Sequence, residues 1–157
     1  MGFTFKVETR KLPALRKRLE QLNGMEVEVG FFEEDRYGPE NGNLPVAQVA
    51  FYNEFGTIHN PTRPFMAETF EDDLVQTYMK KSIKNIFEDV LRNGRAVQRL
   101  LRELGDGVAE AMMVRILNYP GSNSPATIER KGGRNTPLRD TEFMMNSVKF
   151  HIHKGVK

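Results

Sequence analysis

The chain of 157 residues contains no cysteine, which excludes disulfides and thiolate metal sites and is compatible with a reducing cytoplasm. It also lacks long apolar runs, so no segment reads as a membrane span. Its first residues show no apolar core behind a basic start, so no secretory leader is expected. A formal net charge of +2 is too small to predict nucleic-acid binding by itself. Catalytic patterns are scarce as well: the loop within Phe51–Phe65 lacks Ser-His-Asp, Cys-His or paired-carboxylate logic, and the chain has no G-x-x-x-x-G-K-[ST] phosphate loop. No cofactor or metal is expected. The length suits a single domain, 1–157, with a real core.

What is present is pattern. Phe3, Phe5 and Val7 alternate with polar residues as in a half-buried strand, and Met25, Val27, Val29 and Phe31 do the same. Between them Leu12, Leu15, Leu19 and Leu22 recur at helical spacing, with Thr9 as the expected N-cap, Pro13 in the first turn and Gly24 as the stop. The two strands are expected to share a sheet. Residues 34–44 are rich in turn formers and read as a flexible exposed loop. Pro45 opens a short helix with Val46, Val49, Ala50 and Phe55 expected on one side and Gly56 at its end.

After Pro64 the pattern is strongly helical. Leu74, Val75, Tyr78, Met79, Ile83, Ile86, Phe87, Val90 and Leu91 mark one face of a helix of roughly seven turns. Glu68, Glu71, Asp72 and Asp73 fall in its first turns, where the helix dipole favours negative charge. A second helical set runs from Val97 through Leu101, Val108 and Met112 to Ile116. Gly105 and Gly107 inside it predict a kink or a close contact rather than a break. The spacing leaves open whether the two helices form an antiparallel hairpin. Residues 121–140 read as an extended loop or arm. Phe143, Met144, Ser147 and Val148 suggest a turn of helix, and Val148, Phe150 and Ile152 alternate as a final strand. The fold class is therefore α+β: a small mixed or antiparallel sheet packed against two long amphipathic helices, with extended loops.

Charge is banded. Before Gly24 six Lys/Arg face two acids; from Met25 to Glu40 six acids face Arg36 alone; after Pro120 the chain is basic again. Such bands suit electrostatic matching between neighbouring subunits.

The densest stretch is Phe51–Phe65 (FYNEFGTIHNPTRPF). Asn53 and Glu54 are expected to end the short helix and bond to neighbouring backbone. Gly56 supplies the stop, while Pro61 and Pro64 fix φ. Phe55 and Phe65 are expected to anchor the loop in the core or against an adjacent subunit. Arg63 has a planar fork suited to a carboxylate or to backbone carbonyls. The stretch reads as a structural or assembly element.

The order Asn53-Glu54-Phe55-Gly56-Thr57, a spacer, Pro61 and Arg63-Pro64-Phe65 resembles the signature of tailed-bacteriophage neck and tail-completion proteins (virion morphogenesis proteins). A second block strengthens the likeness: Thr127-Ile128-Glu129-Arg130-Lys131-Gly132, then Pro137-Leu138-Arg139-Asp140-Thr141. Glu142 stands where that family has glycine, and a glutamate in a positive-φ turn carries a steric cost, which argues against such a turn here. The resemblance implies a non-enzymatic virion protein, assembled in the bacterial host cytoplasm. It would form a homo-oligomeric ring of about six or twelve copies at the head–tail junction, a neck, collar or head–tail connector component. Its partners would be a portal-side connector or head-closure protein and a tail terminator or tail-tube protein, with DNA passing through the channel without sequence-specific contact. No membrane is implied.

Two alternatives come from the residues themselves. His151 and His153 form an H-x-H pair on one strand face, the geometry of some metal sites, which would suit a small metal-dependent hydrolase. A solvated strand face explains them more simply. Arg130, Lys131, Arg134 and Arg139 lie within ten residues of one another and would bind phosphates without sequence preference, as in a DNA-binding accessory protein.

Overall fold

Glycine stops divide the chain where the pattern places them. Gly24, Gly56 and Gly94 adopt φ of +75°, +75° and +67°, a backbone that side chains disfavour, and each ends a helix. A computed structural model describes residues 9–138 and 142–154. The expected strand at Phe3–Val7, its pairing, and Arg139 lie outside the described residues.

The described elements are α1 (Leu12–Leu22), β1 (Met25–Gly30), α2 (Val46–Phe55), α3 (Phe65–Glu71), α4 (Asp73–Arg92), α5 (Val97–Leu117), α6 (Pro125–Arg130), α7 (Phe143–Asn146) and β2 (Lys149–Lys154). β1 and β2 pair antiparallel, with Met25 opposite Lys154 and Val29 opposite Phe150. The architecture is α+β with a small antiparallel sheet. Val27, Val29, Phe150 and Ile152 alternate with charged residues, so one sheet face turns to α5 and the other to solvent.

α5 is the spine. The core on its C-terminal half joins Ala109, Met112 and Ile116 to Val46, Ala50, Phe65, Met144 and Val148. The core on its N-terminal half joins Val97 and Leu101 to Ile86 and Val90 of α4, with Leu22, Met25, Val27 and Ile152 packed around them. Phe65 is fully buried, worth about 1.5–3 kcal/mol relative to exposure.

The helix pair left open by the spacing is an antiparallel hairpin: Ile86 and Val90 late in α4 pack on Val97 and Leu101 early in α5, and Tyr78 earlier in α4 meets Gly107 at the middle of α5. The glycines in α5 produce close contacts and no break. A Cβ on Gly105 would lie 2.3 Å from the Phe150 ring, and one on Gly107 2.3 Å from the Tyr78 hydroxyl. Tyr78 also donates its hydroxyl to the Glu103 carbonyl.

Several expectations are corrected. α1 begins at Leu12 behind a 3-10 turn, Thr9–Lys11, and Lys11 rather than Thr9 occupies the cap position, without a side-chain bond. The long helix expected after Pro64 is two helices. Asp72 takes extended backbone (ψ 126°) and its carboxylate accepts from the N–H groups of Leu74 (2.9 Å) and Val75 (3.4 Å), restarting the chain as α4. Arg115 of α5 pins this junction, 2.8 Å from Asp72 and 3.9 Å from Glu68. Only Ile86 and Val90 of the nine marked positions in α4 are buried. The stretch 121–140 contains helix α6, with the Ser124 side chain accepting from the Thr127 N–H. Glu142 does adopt a left-handed backbone (φ +63°), despite its side chain, and leads into α7. The loop expected at 34–44 is present, and backbone bonds close it: Tyr37 N–H to Leu44 O and Val46 N–H to Asp35 O, both 2.9 Å.

Candidate functional site

The signature stretch is a clamp between α2 and α3. Glu54, on the last turn of α2, is only 5% exposed, and its two carboxylate oxygens accept from the backbone N–H groups of Met66 and Ala67, each at 2.9 Å. These are among the first amides of α3, which have no partner within the helix, and the negative charge sits where the helix dipole favours it. Asn53 holds the other side: its carbonyl accepts from the Arg63 N–H at 2.7 Å, and its side-chain amide donates to the Val49 carbonyl at 2.8 Å. Both residues therefore do what the sequence predicts, ending α2 and bonding to backbone. Gly56 is required by space as well as by φ, since a Cβ would lie 2.9 Å from Thr62 Oγ1 and 3.0 Å from its backbone nitrogen. Thr57 and Asn60 close the intervening turn with a 2.9 Å backbone bond.

Phe65 enters the core, and Pro64 precedes it at the start of α3. Phe55 does not. It is 64% exposed, because nine residues from Val46 is about 180° around the helix; the position expected for it on the inner face is taken by Glu54. Phe55 instead packs against Phe51, ring centroids 4.7 Å apart, with Tyr52 beside Phe51 and Ile58 98% exposed. Among the described residues the Arg63 guanidinium pairs with neither a carboxylate nor a backbone carbonyl. Its side-chain guanidinium donates to two amide oxygens, Asn53 Oδ1 at 3.4 Å and Asn123 Oδ1 at 3.5 Å.

The Arg63–Asn123 contact joins the two signature blocks. Between them lies a cleft of about 370 Å³ whose walls include Asn53, His59, Arg63, Asn123, Arg130 and Lys131. Arg134 is exposed, and its side chain turns back to the Lys131 carbonyl at 3.2 Å. Asn123 went unnoticed in the sequence; the Ser-Pro pair after it, which caps α6, was the available signal.

The histidines hold separate partners. His151 stacks on Phe32, centroids 3.7 Å apart, and lies 3.6 Å from Glu34. His153 lies 3.3 Å from Glu26 and 3.6 Å from Glu28. Glu26, Glu28 and His153 place one ligand atom each within 4.8 Å of one another, a cross-strand set on the sheet. Below the clamp, Tyr119 donates to Glu68 at 3.3 Å; burial first, and then the Glu68 carboxylate, push its phenol above the ordinary tyrosine range, and Arg63 opposes them.

No family model, curated protein or solved structure matches the chain. Among the described residues no helix is long and apolar enough to cross a membrane.

Proposed function

We propose that the chain is a structural, non-enzymatic virion protein that assembles into a ring at the head–tail junction of a tailed phage. It would be a neck, collar or tail-completion component, joining a portal-side connector to the tail and leaving a channel for DNA. The signature blocks supply the family reading. The observation that carries the assembly reading is the exposed apolar pair Phe51 and Phe55 on the last turns of α2, followed by exposed Ile58 on the loop that Glu54 and Gly56 tie to α3. Contiguous apolar surface on a fixed scaffold is the usual mark of a protein interface. A head-to-tail contact between unlike patches closes into a ring when its rotation divides the full turn evenly, and the charge bands along the chain would set its register.

The test is mass in solution, by light scattering across a concentration series, together with imaging of assembled particles. The expected result is a ring-sized species that Phe55→Asp with Ile58→Asp reduces to monomer while the circular dichroism spectrum is unchanged. A strict monomer that is absent from purified virions would overturn the reading. A metal-dependent activity lost on replacing His151 and His153 would favour a hydrolase instead. A salt-sensitive mobility shift lost on replacing Arg130 and Arg134 would favour a DNA-binding accessory protein.

A further inference from the structure

The cleft between the signature loop and α6 presents more hydrogen-bond donors than the fold satisfies. Asn123 is 7% exposed, and its Nδ2 is buried without a hydrogen-bond partner. The rest of that residue is fixed: Oδ1 accepts from Arg63, and the backbone N–H donates to Asn135 Oδ1 at 2.7 Å. The amide therefore cannot turn over to satisfy itself without facing a guanidinium with its own donors.

Arg63 is half-buried, and its two side-chain contacts, at 3.4 and 3.5 Å, are to neutral oxygens. A charge-assisted bond is about 2.7–2.9 Å, so the guanidinium retains capacity for a stronger acceptor. Arg130, on the rim, is exposed and has no carboxylate partner among the described residues. Two guanidiniums along one cleft, with an unsatisfied amide N–H₂ buried in its wall, call for an anion. Lys131 and Glu142, also in the walls, are engaged within the fold.

We infer that this cleft binds a carboxylate presented by an acidic peptide segment. The walls decide between anions. Leu44, Val49 and Met144 line the same cleft, so the site would bury a hydrocarbon stem while the donors take its charged end. Phosphates of duplex DNA lie on a convex rod and do not reach into a concavity of about 370 Å³. A glutamate, or a chain terminus bearing an aliphatic side chain, has the right combination.

Ligand-observed saturation-transfer NMR tests this, because it detects binding to a monomer and to a ring alike. The probes are acetyl-Leu-Glu-amide, its neutral isostere acetyl-Leu-Gln-amide, and inorganic phosphate as competitor. Saturable binding of the Leu-Glu peptide is expected, with the Leu-Gln peptide and the variants Arg130→Gln and Asn123→Asp each weaker by about tenfold or more. Arg130→Gln changes an exposed residue and leaves packing intact, so it decides the matter if Asn123→Asp misfolds. Equal binding of the two peptides, or no saturable binding, overturns the inference. Strong competition by phosphate together with negligible peptide binding overturns it in favour of a phosphate site. Since the readout does not depend on oligomeric state, its outcome is separate from that of the ring reading.

Discussion

Replacing Glu54 by alanine removes both acceptors that close the start of α3 and leaves the N–H groups of Met66 and Ala67 facing a small void. Each donor buried without a partner costs about 1–3 kcal/mol. Loss of a helix cap alone costs about 1 kcal/mol. The two amides share one carboxylate, so these figures overlap, and a total loss of about 3 kcal/mol is expected. Glu54→Gln is the sharper comparison. It keeps the shape and one acceptor oxygen but turns an N–H₂ toward the other amide and removes the charge at the helix end, for a loss of about 1.5–2 kcal/mol. Urea unfolding followed by circular dichroism measures both, with the m-value checked for constancy. In thermal melts, about 2–4 °C per kcal/mol is expected for a domain of this size, so the alanine variant should melt roughly 6–12 °C lower. A loss below about 1 kcal/mol for alanine would refute the capping argument, since two amides would then have lost their acceptor at almost no cost. Equal losses for glutamine and alanine would refute the role assigned to charge and to the second acceptor.

Two further outcomes follow from packing and from charge. Gly105→Ala places a Cβ against the Phe150 ring at the α5–sheet contact, and a loss of about 1–3 kcal/mol is expected in the same urea assay, partly recovered by adding Phe150→Leu. Tyr119 holds its proton more tightly when folded than when unfolded. Its contribution is therefore complete below the ordinary tyrosine value of about 10 and is lost as the pH rises through the folded value. The stability of the wild type should fall relative to Tyr119→Phe as the pH rises above the ordinary tyrosine value of about 10; parallel pH profiles would contradict this.

The parts of the fold legible in the sequence are those set by local period and by backbone exceptions. The alternation in Met25–Gly30 and Lys149–Lys154, the leucine spacing of α1 and the stops at Gly24 and Gly56 all depend on neighbours in the chain. Asp72 was harder to read, because an acid in a helical run is equally compatible with a first turn and with a cap that starts a new helix. Only the position of Arg115, far along the chain, favours the break. Phe55 shows the limit of composition: its phase on α2 sends an aromatic side chain outward and an acid inward, because the acid alone can satisfy the amides of α3. The cleft was illegible for a different reason. Arg63 and Asn123 meet only through tertiary packing, and a buried amide with an unsatisfied N–H₂ has no signature in a string of residues.

The β1–β2 ladder joins segments from near opposite ends of the described chain, Met25–Gly30 and Lys149–Lys154, whereas α4 and α5 are neighbours joined by a short turn. The ordering entropy of that closure is greater than for any helix pair in the fold, so the hairpin is positioned to form early and the ladder last. During synthesis β1 leaves the ribosome well before β2 exists, and Val27 and Val29 wait without the partner they have in the finished sheet. A chain cut short before Lys149 would keep its helices yet offer that strand edge and the apolar side of α5 to other chains. Adding β2 is thus the step that turns a sticky intermediate into a folded chain with a defined surface.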